Sequence, residues 1–300
     1  MDLQQLSYFV AVAEEGSFTR GAQREHVVQS TMSAAVGRLE HELAQPLFRR
    51  AGHRIALTAA GDLLLERART LLASAREVRD ELGALDGTVQ GSVTLGTVLS
   101  TGTFDLAAVL GALRREHPAL QVRVWFSALD HDRHLERVAD GTYDLALVPE
   151  PDLPSPGIRL QPVGRLDLVL TAPLSAELPA SSLSAAATMP FIDFPVGWAN
   201  RIRTDRLFAA AGLERDVAIE VVDVATGLEL VRGGLGLAFL PRRLVEGRTD
   251  VRIVPLEHPT LSRVLVLARP DGPQRPTVET VYRAFARGGA STEPKKSGNP

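Results

Sequence analysis

The sequence predicts a chain that is α/β overall: a small all-α domain with a two-stranded wing, then one long helix, then a larger α/β domain of two lobes. Three observations carry this. Short runs with apolar residues at helical spacing fill the first fifty residues, a heptad stripe runs from Leu64 to Leu85, and a strand-helix order appears twice after residue 91.

In the first segment, Leu3, Leu6, Phe9, Val10 and Ala13 share one helical face, and Gly16-Ser17 ends that helix and caps the next. A later helix buries Met32, Val36, Leu39 and Leu43, which recur every three to four residues. Its opposite face carries Gln29, Ser30, Ser33, Ala34, Gly37 and His41, with Thr31 and Arg38 beside them, side chains able to approach base edges in a major groove. Two such helices a turn apart have the layout of a helix-turn-helix. After Pro46, Phe48, Ile55 and Leu57 read as short strands about a turn at Ala51-Gly52, a wing that presents Arg49, Arg50, His53 and Arg54. No Asp or Glu falls between Leu43 and Gly61, so the field there is positive.

SFTRGAQ, QSTMS, RLEHEL, PLFRR and LTAAG follow one another at the spacing of LysR-type transcriptional regulators, which this chain resembles strongly here and more weakly to about residue 288. It departs from the family pattern at Glu25, where Leu is usual, at Val28, where Ser often caps the recognition helix, and at Ala34-Ala35, where Arg-Gln is common. The lost cap should cost about 1 kcal/mol unless Gln29 or Ser30 replaces it. Glu25 is expected to lie partly exposed, and base reading to rest on Gln29, Ser30, Thr31 and Ser33 and on DNA shape.

Composition narrows the classes. Three hundred residues suggest about two domains, and 45% hydrophobic residues supply ample core. With no cysteine there are no disulfides, thiol nucleophiles or cysteine-bound metals, which fits a reducing cytoplasm. No apolar run approaches the roughly 20 residues of a spanning helix, and no membrane partner is expected. A net charge of -3, with six arginines balancing six acids in residues 1–60, means that DNA binding must be local and patterned.

Thr58 is placed to cap a helix running to about Gly87 and some 45 Å long, with Leu64, Leu71, Val78 and Leu85 a heptad apart and Ala68, Ala75 and Leu82 beside them. The stripe either packs on its own chain or pairs two copies. In the resembled family the linker helix pairs with its mate, so Leu64, Leu71, Val78, Leu82 and Leu85 are expected to form a dimer seam, setting two recognition helices on a pseudo-palindromic operator.

Past GTVQG, residues 93–96, 104–117, 122–126, 130–139 and 143–148 read as strand, helix, strand, helix and strand. The order repeats from Phe191-Ile192 through 200–211, 217–222, 226–232 and 235–240. Alternation at this spacing predicts parallel sheets flanked by helices. Strands 165–172 and 262–268 cross between the copies, making a hinge, and residues 272–288 read as a final helix. This is the two-lobed, periplasmic-binding-protein-like effector domain that LysR-type regulators resemble. A ligand in such folds sits at the carboxyl ends of the strands. The residues nominated for a small-molecule effector are Leu99, Ser100, Thr101 and Thr103 after the first strand, Leu129 after the second, and Phe194, Trp198 and Thr226 in the other lobe. Thr and Ser there could equally be plain helix caps, and the aromatics ordinary core.

His131 and His134 share a helical face, but Arg133 between them and a capping Asp130 favour a solvated first turn over a metal site. No Gly-x-Ser-x-Gly elbow or phosphate loop is present, so neither catalysis nor a cofactor is expected. An enzyme or carrier on the two-lobed fold would leave residues 1–60 idle. The boundaries read as 1–58 for the DNA-binding domain, 59–88 for the linker helix, 91–290 for the effector domain, and 291–300 for a tail disordered by composition. Lobe I takes about 91–162 and 268–290, and lobe II about 163–267. The partners expected are double-stranded DNA, a small effector and a second copy of the chain, as a homodimer or a homotetramer. The resemblance also allows RNA polymerase.

Overall fold

The computed structural model describes residues 1–51, 54–85, 88–98, 101–127, 131–176, 182–256 and 261–290, without the side chains of residues 50, 51, 54, 84, 85, 131, 132 and 290. The chain divides into two compact units, one built on Met1–Gly91 and the other on Ser92–Ala139 and Tyr143–Pro300.

The first unit opens with α1 (Leu3–Glu15), started by an Asp2–Gln5 capping box and ended by Gly16 in the left-handed region, φ 57°. Ser17 caps α2 (Phe18–Arg24), accepting from the Arg20 amide. Gly21 lets α2 close on α1, since a Cβ there would stand 3.1 Å from the Val12 nitrogen. After the turn comes α3 (Gln29–Leu43), then the antiparallel strands β1 (Phe48–Ala51) and β2 (Arg54–Leu57), paired from Phe48↔Leu57 to Ala51↔Arg54. Thr58 caps α4 (Ala59–Leu85) through the Gly61 amide, as its position predicts. Leu6, Phe9, Val10, Leu39, Leu47 and Ala68 form one core cluster, with Leu64, Leu65 and Leu72 packed on it.

The second unit runs β3 (Gly91–Val98), α5 (Leu106–Glu116), β4 (Leu120–Ser127), α6 (His131–Ala139), β5 (Leu145–Pro149), β6 (Ile158–Pro173), α7 (Leu183–Ala187), β7 (Phe191–Asp193), α8 (Ala199–Ala210), β8 (Val217–Glu220), α9 (Val224–Arg232), β9 (Ala238–Pro241), α10 (Arg242–Val245), β10 (Val251–Val254), β11 (Leu261–Pro270) and α11 (Pro276–Ala290). The expected pair of parallel sheets is corrected in one respect. A seven-stranded mixed sheet, ordered β10-β6-β11-β5-β3-β4 with β9 also on β6, passes from one lobe to the other. β3 and β5 pair parallel, as do β7 and β8 with α8 between them. The crossing strands β6 and β11 run antiparallel to each other, and β11 pairs antiparallel with β5 and β6 with β9 and β10. Each lobe is thereby stitched to the hinge by backbone hydrogen bonds.

Along β6 successive side chains face opposite sides. Leu168 and Leu170 join Phe191, Phe208 and Phe239 on one face of lobe II, and Val169 joins Ile192, Phe194 and Leu240 on the other. Lobe I has its own cluster, including Leu135, Val138, Tyr143, Val148 and Val266. No helix among the described residues is long and apolar enough to cross a membrane.

Candidate DNA-reading face and effector cleft

In α3, Met32, Ala35, Val36 and Leu39 are buried. Gln29, Ser30, Thr31, Ser33, Ala34, Gly37, Arg38 and His41 are exposed, forming one continuous polar face. Val28 stands at the amino-terminal cap in extended backbone with no side-chain cap bond, so neither Gln29 nor Ser30 replaces the missing hydroxyl. Glu25 is half-buried and accepts from the Ser7 hydroxyl at 3.0 Å, which is how an acid is accommodated at the end of α2.

Two devices fix the wing beside α3. Oε1 of Glu40 accepts from the backbone amides of Leu47 at 2.7 Å and Phe48 at 3.2 Å, and the Phe48 ring packs on those of Phe9 and Phe18. Arg49 is exposed, its Nε donating to the Leu57 carbonyl at 3.2 Å. The side chains of Arg50 and Arg54 lie outside the described residues.

The helix α4 divides the expected seam. Leu64 packs on the core of its own domain, so the exposed stripe begins farther along the helix. Leu71 is 46% exposed, Val78 54% and Leu82 59%, and the Leu85 side chain lies outside the described residues. One buried charge cluster ties α4 to α1 and α2: Glu14 of α1 accepts from Arg24 at 2.5 Å and from Arg69 at 2.8 Å. Burial alone would raise the Glu14 carboxyl, but Arg24 and Arg69 outweigh it and hold it below the usual range.

In the second unit, the helix expected from Phe104 starts two residues later, at Leu106, because Asp105 is its cap and accepts from the Ala108 amide at 3.0 Å. Phe104 itself is fully buried. Thr101 donates its hydroxyl to the Phe104 carbonyl at 3.1 Å. Thr103 ties its loop to the hinge, donating its amide to the Arg165 carbonyl at 2.9 Å and accepting the Arg165 amide on its hydroxyl at 3.0 Å. Gly102 permits that approach: its φ is 56°, and a Cβ there would meet the Arg165 carbonyl oxygen at 2.0 Å.

Thr226 is exposed at the third position of α9, but its amide is already taken by the capping Asp223 at 2.8 Å. At both helix starts a capping carboxylate, of Asp105 or Asp223, accepts a first-turn amide. Phe194 is buried in the lobe II core and stacked on half-buried Trp198, ring centroids 6.1 Å apart. Leu99, Ser100 and Leu129 lie outside the described residues, as does the side chain of His131. His134 is buried, with Nε2 3.0 Å from the Ser127 hydroxyl and its ring tilted against Tyr143.

Residues that periodicity could not reveal hold the end of β7. Asp193 is buried, accepts the Phe194 amide at 2.8 Å and pairs with Arg215, whose guanidinium lies 4.9 Å from the Phe208 ring centroid. Arg201 donates to the Phe194 carbonyl at 3.0 Å and to Glu220 at 3.1 Å. Burial raises the Asp193 carboxyl even against its Arg215 and Arg201 partners. Only the long-range approach of these segments assembles the group.

A helix-turn-helix with an outward polar face and a wing, followed by a two-lobed α/β domain, defines by class a ligand-responsive DNA-binding regulator. Residues 3–62 match the family model of the bacterial regulatory helix-turn-helix protein, lysR family, and residues 86–290 match the LysR substrate binding domain. The chain is 34% identical to a probable nitrogen assimilation transcriptional activator of Synechococcus elongatus, over 90% of this chain and 89% of that protein. It is 28% identical to the HTH-type transcriptional regulator IlvY of Escherichia coli, over 90% and 89%. Among solved structures, full-length CbnR complexed with its target DNA superposes with a TM-score of 0.62 at 25% identity, covering 98% of this chain and 100% of that one. The chain belongs to the LysR family of transcriptional regulators, and its activity is control of transcription rather than catalysis.

Proposed function

We propose that two copies of this chain pair through the exposed stripe Leu71, Val78 and Leu82 of α4 and present two α3 helices to successive major grooves of an operator, in the cytoplasm. Gln29, Ser30, Thr31 and Ser33 read base edges, while Arg38, Arg49, Arg50 and Arg54 contact phosphates. A small molecule bound between the lobes, against the loop of Thr101 and Thr103 and the wall of Phe194 and Trp198, changes the lobe arrangement and so the spacing of the two reading heads.

The observation that carries this reading is the outward face of α3, where Gln29, Ser30, Thr31, Ser33, Ala34, Gly37, Arg38 and His41 are all exposed and small or polar. Selection of bound duplexes from a random pool tests it. The expected result is an enriched motif with two related half-sites about one or more helical turns apart, and loss of enrichment in Gln29→Ala/Ser33→Ala. Recovery of unrelated sequences, or enrichment unaltered in that variant, would assign base reading elsewhere.

A further inference from the structure

Arg203, on α8 of lobe II, stands apart from the other buried arginines. It donates through Nη2 to the Leu261 carbonyl at 2.7 Å, a neutral acceptor on β11, while its Nη1 is buried with no hydrogen-bond partner. Arg215, Arg252 and Arg269 also leave a buried nitrogen without a hydrogen bond, but in each it is Nε; Arg203 leaves a terminal nitrogen of the fork that matches a carboxylate.

Its electrostatic surroundings sharpen the point. Burial and the neighbouring Arg263 pull the Arg203 guanidinium down to about 10, against the opposing pull of Asp152 and Asp167. Asp167 is engaged by Ser262 and Arg165. Asp152, just beyond β5 of lobe I, pairs with Arg263 at 2.6 Å and reaches Arg206 of α8 at 3.7 Å, and is 59% exposed. Asp152 thus pairs with Arg206 and Arg263 and acts on Arg203 only at longer range, where lobe I, lobe II and a hinge strand meet. A buried guanidinium nitrogen without a hydrogen bond is costly, and an incoming carboxylate would relieve that cost.

We propose that the effector is a small organic acid whose carboxylate is received by Arg203 and Arg263, taking the place of Asp152. This rests on the reading that the effector binds between the lobes. The exchange also supplies the coupling: the Asp152 ion pairs join lobe I to α8 and β11, and an acid that replaces them releases lobe I while holding lobe II and the hinge together.

Calorimetry and thermal shift on the full chain, with acetate, oxalate, succinate and glutarate each beside its methyl ester, test this. At least one acid should bind and raise the melting midpoint where its ester does not. Arg203→Gln should weaken that acid about tenfold or more, and Arg203→Lys less, because an ammonium keeps the charge but not the fork. The ligand-free midpoint of Arg203→Gln should not fall. Asp152→Asn, which keeps all three arginines, should tighten acid binding several-fold. Esters binding as well as acids, acid binding undiminished in Arg203→Gln, weaker binding in Asp152→Asn, or no binding by any of the panel would overturn the proposal. Trp198→Ala separates the two readings: if it weakens a bound ester while Arg203→Gln does not, the seat between the lobes stands and the acid class falls. If neither variant weakens a bound molecule, the seat lies elsewhere.

Discussion

Arg69 of α4 donates two hydrogen bonds to one carboxylate oxygen of Glu14 on α1, through Nε at 3.1 Å and Nη2 at 2.8 Å. Arg24 of α2 holds the other oxygen. The linker helix is thereby bonded through a single buried acid to the two helices that precede the reading helix, so a rotation of α4 is passed on to the DNA-binding domain rather than absorbed by a loose joint.

Replacing Glu14 with Gln should leave Arg69 and Arg24 to their more exposed partners, Asp140 at 2.9 Å and Glu15 at 3.7 Å, and lower the stability of the DNA-binding unit by about 3 kcal/mol. Because the folded carboxyl is held below its ordinary value, its contribution is complete above the unfolded glutamate pKa, near 4.3. It is lost as pH falls through the lower folded value. Denaturant melts of residues 1–91 in the full chain, at neutral pH and at successively lower pH, should show wild type and Glu14→Gln converging in acid. A constant difference would assign the loss to packing.

At the start of α3 a capping side chain is missing and Val28 is 66% exposed, so Val28→Ser removes little buried surface and adds a hydroxyl acceptor for the first-turn amides. The variant should be stabilised by about 1 kcal/mol. A midpoint that is unchanged in chemical denaturation would mean that the first-turn amides gain as much from water.

For the wing, strand register puts Arg50 opposite Ile55 and Ala51 opposite Arg54, beside the exposed Arg49. Arg50→Ala/Arg54→Ala should weaken binding to all duplexes alike and flatten the slope of log affinity against log salt by about 0.9 for each phosphate no longer neutralised. Titrations across a salt series check this, and an unaltered slope with intact folding takes the wing out of the interface.

Leu71→Glu/Val78→Glu should dissociate the pair, since two carboxylates would be buried without partners in an apolar seam. Both side chains are about half exposed in the single chain, so its own fold should survive. Sedimentation that retains the wild-type mass would show that another surface joins the copies.

Features set by near neighbours were legible from residue order alone. The Ser17 and Thr58 caps, the left-handed Gly16, the buried Met32–Val36–Leu39 face of α3 and the unfilled cap at Val28 each depend on groups within four residues along the chain. The repeated strand-helix order likewise announced an α/β domain of two lobes. The Asp105 and Asp223 caps are as local, each accepting the amide three residues on. Other features had no local signature. Leu64 follows the heptad like Leu71, yet only the first is covered, because the DNA-binding domain lies along that end of α4. Strand direction in the mixed sheet follows from which strands β6 and β11 meet when they cross the hinge. The isolation of Arg203 arises only when α8 meets a strand 58 residues away, beside Arg263 and Asp152. Periodicity can say which face of a helix is apolar, but the burial of a charge depends on what the rest of the chain brings to it.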